Sequence, residues 1–248
     1  MKKTLLFLIV LAMSTIVIGQ KMQTSPVVMP ADHPAYEAFV PDGLGVATIP
    51  ETDAISLWVL NHNSFYSTGS SAPGNTFNYQ RGKYLIKQSE IALTNFPYPA
   101  EVNSIGWNVY LPTGLPTPTT QTGQLKIWLM NTADETNLQG TTWSTTGFTM
   151  VHDNPSWAVP VTAGAYSISF INGSTFTYTG GGVYVAWEFV NTGTAGANEI
   201  GHLVNTTLVG GGCYERSTTG FTGTLTPADG RPATNFGNTA YNDIVNVN

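Results

Sequence analysis

Over much of this chain apolar and polar residues alternate at every second position. At 102–111, Ile105, Trp107, Val109 and Leu111 fall on one side of an extended backbone, with Gly106, Asn108 and Tyr110 on the other. Leu125, Ile127 and Leu129 alternate with Lys126, Trp128 and Met130, and Tyr166, Ile168 and Phe170 alternate with Ser167 and Ser169. Val183, Val185, Trp187 and Phe189 alternate with Tyr184, Ala186 and Glu188. Successive side chains of a strand point to opposite faces, so a period of two predicts strands buried on one side. Ala54–Leu60 is a short apolar run without helical spacing and reads as a further strand. Turn residues punctuate the pattern at Pro112–Pro118, Asn137–Gly140, Ala163–Gly164, Asn172–Gly173, Gly180–Gly182 and Gly210–Gly212. Short strands spaced by about ten residues predict an all-β fold, an antiparallel β-sandwich of jelly-roll or immunoglobulin-like kind. Helix signals are few. The best is a turn at Asp134–Leu138, which Thr132 or Asp134 could cap. No solenoid or propeller repeat and no break in composition divides the strand-rich region.

The first twenty residues follow a different rule. Lys2 and Lys3 precede an almost unbroken apolar run, Thr4–Ile18, and Val17 and Gly19 stand at −3 and −1 of a cleavage point. This is the layout of a secretory signal peptide, residues 1–20. A retained anchor is the alternative, but the run is shorter than the roughly 20 residues that cross a bilayer. No cysteine stands at the junction for lipid attachment, and no second run of membrane length follows. The mature protein is therefore expected to be secreted or displayed at the cell surface, with no membrane span. Residues 21–53 hold Pro26, Pro30, Pro34, Pro41 and Pro50 with little periodicity and read as an extended lead-in. That leaves 54–248 as one β domain.

Composition narrows the class further. Only 10% of the 248 residues are charged, against about 25% in an average soluble domain. Thr, Gly, Asn and Ser take the place of charge, which suits strand surfaces and turns better than helix faces. Removing Lys2 and Lys3 from the nine basic residues leaves seven against fifteen acidic ones, a net of −8. A negative chain without a basic cluster is ill suited to nucleic acid or an anionic membrane. Cys213 is the sole cysteine, so no internal disulfide forms and burial with strand pairing must stabilise the core. Cys213 itself reads as a small buried residue rather than a nucleophile.

Several of these stretches resemble a known group. Tyr79–Ile91 (YQRGKYLIKQSEI), Ile105-Gly106-Trp107, Leu125–Leu129 (LKIWL), Thr141-Thr142-Trp143, Phe148–Asp153 and Tyr178–Phe189 follow one another here. They resemble the strands of accessory β-sandwich modules in large Bacteroidetes-type proteins exported by the type IX system. The resemblance spans about residues 54–241. It implies an accessory module that sits beside other domains in adhesins, proteases or glycan-handling proteins. Those proteins often carry a C-terminal sorting domain, which this sequence lacks, and Ile244–Asn248 reads as a strand cut short. One expectation is therefore a fragment of a longer polypeptide whose other domains are its partners.

Glu188 lies on the face opposite Trp187 and Phe189. With Glu90, Glu101 or Glu215 it could form the carboxyl pair of a glycosidase, although a solvent-facing strand residue is the simpler reading. Glu199 and His202 lie three apart, but Gly201 between them argues against the helix a metal pair would need. His33, His62 and His152 belong to no zinc motif. Asp134 with Glu135, and Asp153 beside Asn154, are the candidate ligands of a structural calcium, against the simpler reading of turn residues. Ser70 and Ser71 lack a nucleophile elbow, and Gly180–Gly182 precedes a strand rather than a helix, so neither suggests acyl or phosphoryl chemistry. Asn172-Gly173-Ser174 and Asn205-Thr206-Thr207 match the N-glycosylation pattern. Recognition is most strongly suggested by aromatics: Trp128 faces away from Leu125, Ile127 and Leu129, while Trp143 and Trp157 sit beside turn residues. Burial of these indoles in the core is the competing reading. No catalytic residue is assigned. The expected function is non-catalytic adhesion, glycan or protein binding, or spacing. A secreted polysaccharide hydrolase and a spacer from a larger exported enzyme are the alternatives.

Overall fold

A computed structural model describes residues 55–66, 72–111, 118–171, 174–191, 193–196 and 200–238. The chain divides into a first unit, Met1–Thr48, and a second, Ile49–Asn248, and every described residue belongs to the second. The expected leader and the lead-in at 21–53 lie outside the described residues.

The strands run in the order β1 (Ile55–Leu60), β2 (Ser64–Tyr66), β3 (Tyr79–Ile86), β4 (Ala100–Val102), β5 (Ser104–Tyr110), β6 (Thr122–Thr132), β7 (Thr149–Ala158) and β8 (Gly164–Ser169). They continue with β9 (Phe176–Tyr178), β10 (Gly182–Asn191), β11 (Gly201–Asn205), β12 (Gly212–Ser217), β13 (Thr226–Ala228), β14 (Arg231–Pro232) and β15 (Thr234–Asn238). Among the described residues one short helix, α1 (Gln88–Ala92), follows β3. All pairing is antiparallel. One sheet has seven strands, ordered β1-β15-β5-β11-β14, with β2 on β11 and β8 on β5. The second has six, ordered β13-β12-β3-β10-β6-β7, and β4 with β9 forms a separate ribbon. The fold is all-β, as the alternation predicts.

The core lies between the two large sheets. β5 contributes Ile105, Trp107 and Val109 from one side. β6 and β10 contribute Leu125, Ile127, Leu129, Val183, Val185, Trp187 and Phe189 from the other. These are the residues that the period of two assigns to the interior. Gly82 stands opposite Trp187 in the β3–β10 register, and a Cβ there would come within 3.0 Å of the indole Nε1. A polar thread crosses this core: Trp107 Nε1 donates to Tyr84 Oη at 2.8 Å, and Tyr84 Oη lies 2.9 Å from Thr234 Oγ1. It ties β5 and β15 of one sheet to β3 of the other. Because a buried donor left alone costs about 1–3 kcal/mol, the thread is specific as well as cohesive.

Three local expectations change. Tyr79–Ile91 is not one strand, because β3 ends at Ile86 and α1 begins after Lys87. Glu90 accepts the Lys87 amide at 2.9 Å, which satisfies an otherwise free N–H at the helix start. Tyr178–Phe189 is likewise two strands, since Gly180 turns the chain at φ +97°. Asp134–Leu138 forms no helix. Thr132 Oγ1 accepts the Asp134 amide at 3.1 Å and Asn137 Oδ1 accepts the Gln139 amide at 3.1 Å, so local side-chain bonds hold bends there instead.

The Glu90 carboxylate does a second job. Arg231 is fully buried, and its guanidinium donates to Glu90 Oε2 and Oε1, both at 2.7 Å, to Leu85 O at 2.8 Å and to Asn205 Oδ1 at 2.7 Å. One side chain thereby joins α1, β3, β11 and β14. No helix among the described residues is long and apolar enough to cross a membrane.

Candidate functional site

The outer face of the six-stranded sheet carries most of the acidic and aromatic residues singled out above. Register aligns Glu215 on β12, Arg81 on β3, Glu188 on β10, Lys126 on β6 and Asp153 on β7 in one row of alternating charge. Arg81 donates through Nε and Nη2 to Glu215 Oε2 at 2.9 and 2.7 Å, and through Nη1 to Glu188 Oε2 at 3.4 Å. Its guanidinium carbon lies 4.0 Å from the Phe221 ring centroid and 4.8 Å from that of Trp143. Burial pushes the Glu215 carboxyl up, but bonds from Thr222 and Arg81 outweigh it and hold the group below the ordinary carboxylate range. The sequence could not say which carboxylate joins Glu188. It is Glu215, two strands away, with a cation between them.

Trp128 and Trp143 do come together, edge to face with centroids 6.0 Å apart, and both are only half-buried. The 133–148 segment brings Trp143 there. Lys83, 1% exposed, donates to Gln139 O at 3.1 Å and Thr142 O at 3.0 Å, while the Trp143 amide donates to Gly223 O at 3.0 Å. Burial pushes the Lys83 ammonium below its ordinary pKa. Neighbouring Cys213 is buried too, which raises its thiol pKa, the reverse of what a nucleophile needs. Trp157 goes elsewhere. It meets Phe189 edge to face at 5.7 Å and Tyr166 at 6.3 Å, against the core.

The calcium candidates do not assemble. Asp134 Oδ2 accepts the Tyr184 hydroxyl at 2.9 Å, Glu135 is exposed, and Asp153 Oδ1 accepts Gln124 Nε2 at 2.7 Å in the charge row. Among the described residues no group of three or more His, Cys, Asp or Glu could hold a metal ion. Glu101 is bonded to Thr177 at 2.6 Å, and Glu90 to Arg231. Glu199 lies outside the described residues, while its companion in the sequence, His202, is 1% exposed, and neither ring nitrogen has a partner among the described residues. Burial pushes the His202 pKa down to about 3. His62 is exposed. His152 is buried, with Nδ1 3.0 Å from Ser169 O. Asn205 Nδ2, which glycosylation would require, donates to Asn61 O at 2.8 Å.

A second region was not singled out in the sequence. Between α1 and the β4–β9 ribbon lies a half-open cleft of about 420 Å³. Phe96 and Tyr178 line it and are 5% and 2% exposed, with ring centroids 5.6 Å apart. At its rim Tyr98 is 69% exposed, beside the exposed amides of Gln88 and Asn95. None of the described lining residues is charged. Tyr98 packs along the Gly180 backbone, where a Cβ would come within 2.5 Å of the ring. The signal for this site was Asn95-Phe96-Pro97-Tyr98-Pro99, an aromatic bracketed by prolines in a loop, which holds the ring off any sheet ladder.

No known protein family, curated protein or solved structure matches this chain.

Proposed function

We propose that this protein is a non-catalytic β-sandwich module that acts outside the cell or at its surface and binds its ligand at the Tyr98 cleft. The observation that carries the reading is a large ring left 69% exposed at the mouth of a cleft lined by uncharged groups. A cleft of about 420 Å³ falls within the range of small-ligand sites. An exposed aromatic in a fixed position is the residue type that dominates recognition energy. The outer sheet face favours the same reading over hydrolysis. Glu188 and Glu215 share Arg81, and the Glu215 carboxyl is held below the ordinary carboxylate range rather than raised towards that of a general acid. The leader-like N-terminus and the resemblance to exported accessory modules support an extracellular role. The test is binding of the full chain and of Tyr98→Ala to immobilised glycans and surface proteins, with reducing-sugar release followed in parallel. Ligand capture lost on Tyr98→Ala, without turnover, is expected. Sugar release abolished by Glu188→Gln would instead mark a hydrolase.

A further inference from the structure

The chemistry of the cleft narrows its ligand: we infer that it receives a single uncharged sugar ring, laid on Tyr98 and hydrogen-bonded by the amides of Gln88 and Asn95. This rests on the cleft being the binding site. A pyranose has an apolar face of C–H groups edged by hydroxyls that both donate and accept. An aromatic ring matches the face, and a primary amide, with two donors and an acceptor oxygen, matches the edge. The cleft supplies both and little else that is polar, because the Tyr178 hydroxyl is already donated to Gly181 O at 2.7 Å.

Charge decides between sugars. Among the described residues no cation lines the cleft, so a uronate or a sulfated sugar would surrender hydration without a partner there. Exposure decides between a sugar and an extended peptide. A proline-rich helix docks across a series of aromatic ridges, whereas Phe96 and Tyr178 are buried in the floor and, of the described lining aromatics, Tyr98 stands out. One ring serves one flat unit. The platform is also set in advance, since Tyr98 lies along Gly180 with no room for a side chain between them. A ring already in place loses less freedom when a ligand arrives.

Isothermal titration of the full chain tests this with cellohexaose, laminarihexaose and mannohexaose as neutral probes. An oligogalacturonate of equal length and a proline decapeptide serve as controls. Binding of at least one neutral probe, weakened about ten-fold or more by Tyr98→Ala and retained by Tyr98→Phe, is the expected result. Gly180→Val should weaken it as well by displacing the ring, and thermal melts establish that each variant is folded. If none of the neutral probes binds, the inference is overturned. Tighter binding of the galacturonate or the peptide, abolished by Tyr98→Ala, would overturn the uncharged-sugar assignment but keep the cleft as the site. Neutral-sugar binding indifferent to Tyr98→Ala would remove both.

Discussion

His202 should make this protein sensitive to acid in a way a single substitution removes. The imidazole is 1% exposed with no partner for either nitrogen among the described residues, and burial depresses its pKa from 6.5 to about 3. In the unfolded chain the ring takes up a proton near its ordinary pKa, while in the folded chain it stays neutral until about pH 3. Between these values the unfolded state binds more protons, so stability falls as pH falls, and the effect is absent above the unfolded pKa. The slope approaches 1.36 kcal/mol per pH unit, which gives about 2 kcal/mol lost at pH 5 and about 4–5 kcal/mol in full by pH 3. Urea unfolding of the native chain and of His202→Leu, followed by tryptophan fluorescence at pH 7, 6 and 5, isolates the term. Carboxylates held low, such as Glu90 and Glu215, and the depressed His152 titrate alike in both proteins and cancel. The variant is expected to lose about 2 kcal/mol less than the native chain between pH 7 and 5. Parallel losses in the two proteins would refute the assignment of a neutral, buried His202.

Other substitutions probe the buried polar links. Arg81→Met leaves Glu215, 7% exposed, without its cation, and a melt should register a loss of about 3–5 kcal/mol. Tyr84→Phe strands the Trp107 Nε1–H in the core, and should cost about 1–3 kcal/mol by urea titration. Lys83→Met releases Gln139 O and Thr142 O, so hydrogen exchange at the Trp143 and Leu225 amides, bonded to Gly223 O and Thr141 O, should accelerate while amides of β10 hold their protection.

The inward faces of β5, β6 and β10 were legible because each is buried toward a common core, so alternation alone assigns the residues that point into it. The six-stranded sheet was less legible on its outer side. Tyr184 and Ala186 occupy the polar phase of β10 yet are fully buried, and the 133–148 segment covers Tyr184 through Asp134, Leu138 and Phe148. That cover depends on the Lys83 bonds and the Thr142–Thr224 bridge, contacts between distant positions that no local pattern records. The face of Trp157 was unreadable for another reason. The β6–β7 register shifts between Gly123 and Leu125 and again between Ile127 and Trp128, and each shift resets which residues face inward. The helix α1 is five residues long, too short to show a period, so the apolar Ile91 passed as a continuation of β3. The partnership of Glu188 with Glu215 waits on strand order, and the Tyr98 cleft on the meeting of α1 with the β4–β9 ribbon.

The row Glu215–Arg81–Glu188–Lys126–Asp153 bears on how this sequence can change over time. Its members come from five strands, so substitutions far apart along the gene are tied to one another. A reversal of sign at 188 would oppose like charge at 81 or 126 unless those positions changed with it. Divergent copies of this fold should therefore keep the alternation while exchanging which strand carries which sign, or lose it all at once to uncharged residues.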